Sequence, residues 1–260
     1  MKVFAIGDLH LSGNPPTKPM DIFGPHWDNH WSRIKEDWID RVTDEDIVFL
    51  VGDMSWALRL DEAACDLQEI ASMPGKKYMI RGNHDYWWAS ANKMRNLMGD
   101  AITFLQGHGT AELIQTEEGP RIIAFGGTRA YLCPGDSHFT PETDQSIYDR
   151  ELMRTEAALQ EMNKAVEILR EEITAEAKVD ITKLNKADTT DSDKAYPSAI
   201  DIDSIPVTKI LLLHYPPFNE SNAPSGFTDL IEQYKVDTCI FGHLHDQISF
   251  KRIPKEFGST

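Results

Sequence analysis

Asp8 with His10, Asp53, Asn83 with His84 and Asp85, His214, and His243 with His245 form five short blocks along a chain of 260 residues. They read D-L-H, G-D, G-N-H-D, a lone H and G-H-L-H. Imidazole nitrogens mixed with carboxylate and amide oxygens, and no thiolate, make a donor set suited to Mn, Fe or Zn. A histidine alone is ordinarily a packing or hydrogen-bonding residue, and His108 and His138 are read that way. A buried carboxylate behind an apolar strand is costly unless something pairs with it, so Asp8 and Asp53 need partners. Residues two apart on an extended segment point the same way. Asp8 with His10, and His243 with His245, are therefore each expected to aim both side chains at one place.

The blocks must be positioned by strands. Residues 2–6, 47–51, 77–81, 122–125, 209–213 and 238–241 are short, apolar and β-prone. Their near-continuous apolar character suggests strands covered on both faces. Trp27, Trp31, Ile34, Trp38 and Val42 recur at helical spacing, as do Leu60, Ala64, Leu67 and Ala71. Strands alternating with helices indicate βαβ units, an α/β fold. Function in such sheets gathers past the carboxyl ends of strands, and each of the five blocks directly follows a strand.

In order and type the blocks resemble the calcineurin-like metallophosphoesterase superfamily, whose pattern runs D-x-H, G-D, G-N-H-D/E, H, G-H-x-H. The likeness spans residues 1–245. It implies one domain over 1–260, a four-layer αββα sandwich of two mixed sheets flanked by helices. It implies two divalent or trivalent transition-metal ions, the first held by Asp8, His10, Asp53 and His245. The second takes Asp53, Asn83, His214 and His243, so that Asp53 bridges. Two metals about 3.5–4 Å apart supply a bridging hydroxide for in-line attack and a clamp on phosphoryl oxygens. His84 is implied to protonate the leaving oxygen or hold the phosphate, beside Asn83 on the substrate side. Asp85 would orient His84 or brace the turn.

After Gly52-Asp53 the chain continues Met54-Ser55-Trp56. The D-R-G continuation typical of protein Ser/Thr phosphatases is missing, so a small phosphomonoester or phosphodiester is the expected substrate. Alternatives are a nuclease-like phosphodiesterase and a non-catalytic metal-binding scaffold. Scaffold members usually lose a ligand or the His of G-N-H, and this chain keeps them all. Arg129 is a candidate phosphate clamp, because guanidinium meets phosphate oxygens bidentately; it could equally be a surface arginine paired to an acid. Arg81 raises the same question. Trp27 and Trp31 could line a pocket or form a helix's inner face, the latter preferred for Trp31. At least one of Trp56, Trp87 and Trp88 is expected to wall the site, and Tyr215-Pro216-Pro217 to form a stiff turn fixing His214.

Net charge is −16. Such a chain has no long-range attraction for nucleic-acid phosphates. Three cysteines without C-x-x-C spacing read as reduced thiols. The short N-terminal apolar run is no signal peptide, and no stretch is long enough to span a bilayer. A cytoplasmic enzyme is expected, of open oligomeric state. Residues 136–205 are strongly acidic. Pro141 could open a helix there, with Leu152, Leu159, Met162, Val166, Leu169 and Ile173 as its apolar stripe. That helix would be either a solvated surface element or a cap on the substrate pocket, followed by a polar loop at 188–193.

Overall fold

The computed structural model describes residues 1–187 and 202–245, with side chains through 175 in the long helix. The polar loop expected at 188–193 and Asp246 lie outside the described residues.

Alternation along the strands dictates the layering. In β2 (Ile47–Leu50) and the residue after it, Ile47, Phe49 and Val51 turn one way, while Val48 and Leu50 turn the other. Ile47, Phe49 and Val51 meet Tyr78 and Ile80 from their own sheet and Ile123, Phe125, Ile210 and Leu212 from a second. Val48 and Leu50 meet Trp38, Leu67 and Ile70 of covering helices. On the second sheet, Ala124, Leu211 and Leu213 face outward onto Tyr148, Leu159, Met162 and Phe227. Three apolar layers separated by two sheets give the expected αββα sandwich.

The first sheet is all parallel rather than mixed as expected: β1 (Val3–Ile6), β2, β3 (Lys76–Met79) and β4 (Ile102–Phe104) lie side by side in chain order. The register pairs Val3 with Ile47 and Ile47 with Lys76. The second sheet is mixed. β5 (His108–Thr116) runs antiparallel to β6 (Gly119–Thr128), and β7 (Val207–Leu213) and β8 (Thr238–Phe241) continue in parallel. β4 and β5 were not evident in the chain, one being three residues long and the other strongly polar.

Helix α1 (His30–Arg41) starts later than the apolar rhythm suggests. Pro25–Trp27 is a single 3-10 turn, and Asn29 is left-handed at φ 51°, so Trp27 leaves the helical face. Trp31 stays on it, packing against the core and donating Nε1 to Glu69. α2 (Leu60–Ala71) matches its predicted span, and α3 (Ala91–Met98) completes that side. α4 (Pro141–Ala187) and α5 (Gly226–Gln233) cover the second sheet. In α4, Leu159 and Met162 are buried and Leu152 and Val166 pack beside them. The apolar stripe thus packs on the second sheet, and the helix shares the outer layer of the sandwich with α5. No described helix is long and apolar enough to cross a membrane.

Candidate metal centre

Asp8 follows β1, Asp53 β2, Asn83 β3, His214 β7 and His243 β8, so both sheets deliver their carboxyl ends to one place. The first two loops are zipped together: Asp8 N donates to Gly52 O at 2.9 Å, and His10 N to Asp53 O at 3.0 Å. Gly52 makes the bend at φ +94°.

Four of the candidate ligands sit in left-handed backbone: Asp8 (φ 55°), His10 (φ 49°), Asp53 (φ 57°) and His243 (φ 71°). Asp, Asn and His tolerate this region better than other residues with a Cβ. The finding corrects the period-two reading, which assumed extended segments. Asp8 and His10 do converge, but through left-handed turns. His243 and His245 part company: the His243 ring lies 5.2 Å from that of His214, and the His245 ring 5.4 Å from that of His10.

Ligand atoms of Asp8, His10 and His245 all lie within 4.8 Å of one another, as do those of Asp8, Asp53 and His214. The polar atoms inside are short of partners. Asp8 Oδ1 and both ring nitrogens of His10 are buried without a hydrogen bond. Burial drives the His10 pKa down to about 3, so its imidazole is neutral and offers a lone pair. Asp8 Oδ2 is used, accepting the backbone N–H of His243 at 2.9 Å.

His214 is fully buried, with Nδ1 2.9 Å from Val51 O. That carbonyl requires the proton on Nδ1, which leaves Nε2 as the coordinating nitrogen. Nε2 lies 2.7 Å from Asn83 Oδ1 and 3.4 Å from Asp53 Oδ2. His243 Nδ1 approaches the same Asn83 oxygen at 2.9 Å. Such crowded acceptors need a positive charge between them: a metal ion, or a proton in its place. Burial opposes protonation of His214, but Asp53 overcomes it and raises the pKa. Asp53, 1 % exposed, is pushed up by burial and held down more strongly by His214 and the His84 N–H, to about 2. Burial lowers His243 to about 4. The donor set fits a metal ion, with Asp8 common to both groups of converging ligand atoms.

Asp85 does not orient His84. Its buried Oδ2 accepts Asp53 N at 2.9 Å and Gly82 N at 2.8 Å; Oδ1 accepts Met54 N at 2.9 Å and Trp87 Nε1 at 3.0 Å. The carboxylate staples the G-D loop to the G-N-H-D turn, because those loops have no ladder to take their N–H groups. The His84 imidazole instead lies at the cleft edge, its ring 4.5 Å from that of Trp56 and 5.7 Å from that of His10. Burial lowers its pKa, Asp53 opposes this, and Lys18 adds to the lowering. Trp56 also stacks on His10 at 4.5 Å and carries Lys18 Nζ 3.1 Å from its ring centre. It is the tryptophan that walls the site. Trp87 is buried in the core and Trp88 packs on Phe104. Trp27 meets His245 edge-on at 6.0 Å.

On the opposite flank, Tyr215 covers His243 with ring centres 4.2 Å apart. Arg129 fixes the turn there, its carbonyl taking the N–H groups of His214 and Tyr215 at 3.3 and 3.0 Å. A cavity of about 180 Å³, lined by Tyr131, His138, Tyr215, Phe218 and His243 among others, opens beside the ligands. His138 therefore borders the site, while His108 pairs with Glu161 on the surface as expected. Neither Arg81 nor Arg129 forms an ion pair among the described residues, so neither is the paired surface arginine that so acidic a chain suggested. Lys18 and the covering Tyr215 ring were not anticipated. Lys18 lies in a proline-rich run without periodicity, although Tyr215 is flagged by its adjacency to His214.

The family model "Metallophos: Calcineurin-like phosphoesterase" matches residues 1–247. No curated protein matches the chain. Among the solved structures that are similar, two share 15 % identity with this chain. A protein of unknown function from Aquifex aeolicus gives a TM-score of 0.37, covering 92 % of this chain and 88 % of its own. Phosphopantetheinyl hydrolase from Mycobacterium tuberculosis gives 0.41, covering 94 % and 83 %.

Proposed function

We propose a specific reaction for this chain, which belongs to the calcineurin-like phosphoesterase family and is accordingly a metal-dependent phosphoesterase: hydrolysis of a small phosphomonoester or phosphodiester at a pair of transition-metal ions. One observation carries the proposal. Neutral or anionic donors from five strand ends converge with buried lone pairs unanswered, notably on His10 and Asp8. A cluster of that kind is the ordinary lining of a cation site, because a metal ion answers the unpaired donors.

Asp8, His10, Asp53 and His245 would hold one ion, and Asp53, Asn83, His214 and His243 the other, of Mn, Fe or Zn. When bound, such ions polarise phosphoryl oxygens and acidify a water for attack. The chain's own residues do the positioning. Val51 O fixes the His214 tautomer. Asp85 locks the two loops that present Asp53 and Asn83. Trp56 shields the buried His10 ring from bulk water, and Trp27 lies edge-on to the exposed His245 ring. His84, whose backbone N–H holds Asp53 while its ring makes no hydrogen bond among the described residues, offers its ring N–H to the phosphoryl or leaving-group oxygen. Three unpaired cysteines support a cytoplasmic setting, and a net charge of −16 argues against nucleic-acid substrates.

The test is turnover of p-nitrophenyl phosphate and of bis-p-nitrophenyl phosphate by protein reconstituted with Mn. Hydrolysis of either, abolished by a chelator and restored by metal, supports the reading. Absence of both activities in protein shown to carry metal would count against it.

A further inference from the structure

Arg81 and Arg129 are unusual cations in this chain. The sequence holds 42 acidic residues against 26 basic ones, so a carboxylate within reach is the default for any arginine. Yet the Nε of each is buried without an acceptor. The acids nearby are already engaged. Glu151, 0 % exposed, is claimed by Arg154 at 2.7 Å, with Arg150 at 3.8 Å. Asp85 spends both oxygens on loop N–H groups and on Trp87.

The two arginines also share a location. Arg81 directly precedes Gly82-Asn83, and the Arg129 carbonyl anchors His214 and Tyr215. Burial lowers the Arg81 pKa, and the Arg129 charge adds to the lowering. The Arg129 guanidinium stands 5.6 Å from the Tyr131 ring centre. Tyr131 is 5.7 Å from Tyr215, and Tyr215 4.2 Å from His243. A run of rings therefore links Arg129 to the metal ligands and spaces it from them. An arginine stays charged at any working pH, and two partly desolvated like charges are costly unless an anion joins them. Their planar forks match phosphate or carboxylate oxygens bidentately.

We propose that Arg81 and Arg129 form an anion subsite beside the metal centre, which takes a second oxyanion group of the substrate, phosphate or carboxylate, distinct from the phosphoryl group that is cleaved. The substrate is then a small phosphoester with two anionic groups. The inference rests on the phosphoesterase reading, and its test separates the two.

Binding of three non-hydrolysable probes to metal-loaded protein is measured by calorimetry: methylphosphonate, 3-phosphonopropanoate and propane-1,3-diphosphonate. Wild type should bind one of the two-anion probes at least roughly tenfold more tightly than methylphosphonate, the scale of one charge-assisted contact. Which of the two leads distinguishes carboxylate from phosphate. Arg81→Gln and Arg129→Gln should each erase most of that advantage while leaving methylphosphonate affinity nearly unchanged. Lysine at either position keeps the charge but loses the fork. It should retain part of the advantage, and it serves if a glutamine variant fails to fold. A parallel fall in methylphosphonate affinity would show that the arginines hold the cleaved group, and would overturn the proposal. So would variants that bind all three probes as wild type does. If wild-type protein binds none of the three, the phosphoesterase reading itself fails.

Discussion

Replacing Asp85 by Asn separates a bracing residue from a catalytic one. The carboxylate accepts two N–H groups on Oδ2 and three on Oδ1, four of them at 2.8–3.0 Å and that of Ser55 at 3.4 Å, with no exposure to water. An amide keeps one acceptor and turns two protons toward N–H groups that lose theirs. Hydrogen bonds to a charged group contribute about 1.5–3 kcal/mol each, so two lost bonds cost about 3–6 kcal/mol. Relief from burying a charge offsets part of this, since burial and neighbouring Asp53 raise the Asp85 pKa. A net loss of about 3 kcal/mol is expected. With a urea m-value of roughly 3 kcal/mol per M for a chain this long, the midpoint should fall by about 1 M in equilibrium unfolding of chelator-treated protein. Metal content should drop as well, because Asp53 and Asn83 ride on the stapled loops. An Asp85→Asn protein with an unchanged midpoint and full metal, defective only in turnover, would refute this account and restore Asp85 as the partner of His84.

His84→Ala should reduce turnover by about a hundredfold or more, the usual contribution of a general acid, while metal analysis finds wild-type occupancy. Loss of metal would make His84 a ligand. Asp53→Asn should weaken both ions together in a metal titration; loss of one alone would show that Asp53 does not bridge. In Gly82→Ala the new Cβ would collide with Asp53 Oδ1 and Asp53 N, so lowered metal affinity with both sheets intact by circular dichroism is expected. An Ellman titration of native protein should find one fast thiol, Cys65, since burial pushes Cys133 and Cys239 up to about 12; three fast thiols would contradict that.

The ligand blocks were legible because their chemistry is carried by residue type and by the strands before them. Sheets covered on both faces were legible because strands such as Ile47–Leu50 are apolar throughout, whereas the four-layer arrangement followed only from the family resemblance. What escaped had weaker local signals. β5 holds few apolar side chains, Ala111, Leu113 and Ile114 among nine residues, and its pairing with β6 is decided by the hairpin rather than by composition. α5 is short, yet Ser225 and Thr228 form a capping box that could have announced it. The aim of the ligands was misjudged at His243 and His245, since no period describes a left-handed turn. Asp85 shows a further limit: a motif locates a carboxylate, but whether it meets substrate or backbone depends on folding partners up to 32 residues away.

The left-handed backbone at Asp8, His10, Asp53 and His243 narrows the routes along which this protein could change over generations. An ordinary side chain in that conformation costs roughly 1–2 kcal/mol, and Gly, Asn, Asp and His are the usual exceptions. Selection on fold and selection on ligand chemistry thus filter these positions independently, and the shortest step both backbones tolerate is Asp to Asn. That step preserves the turn while discarding the anionic donor. A descendant released from catalysis would be expected to drift toward asparagine at 8 and 53, keeping the architecture as a silent scaffold. Asparagine at both positions in a related chain would accordingly mark a lineage that stopped hydrolysing phosphoesters without ceasing to fold.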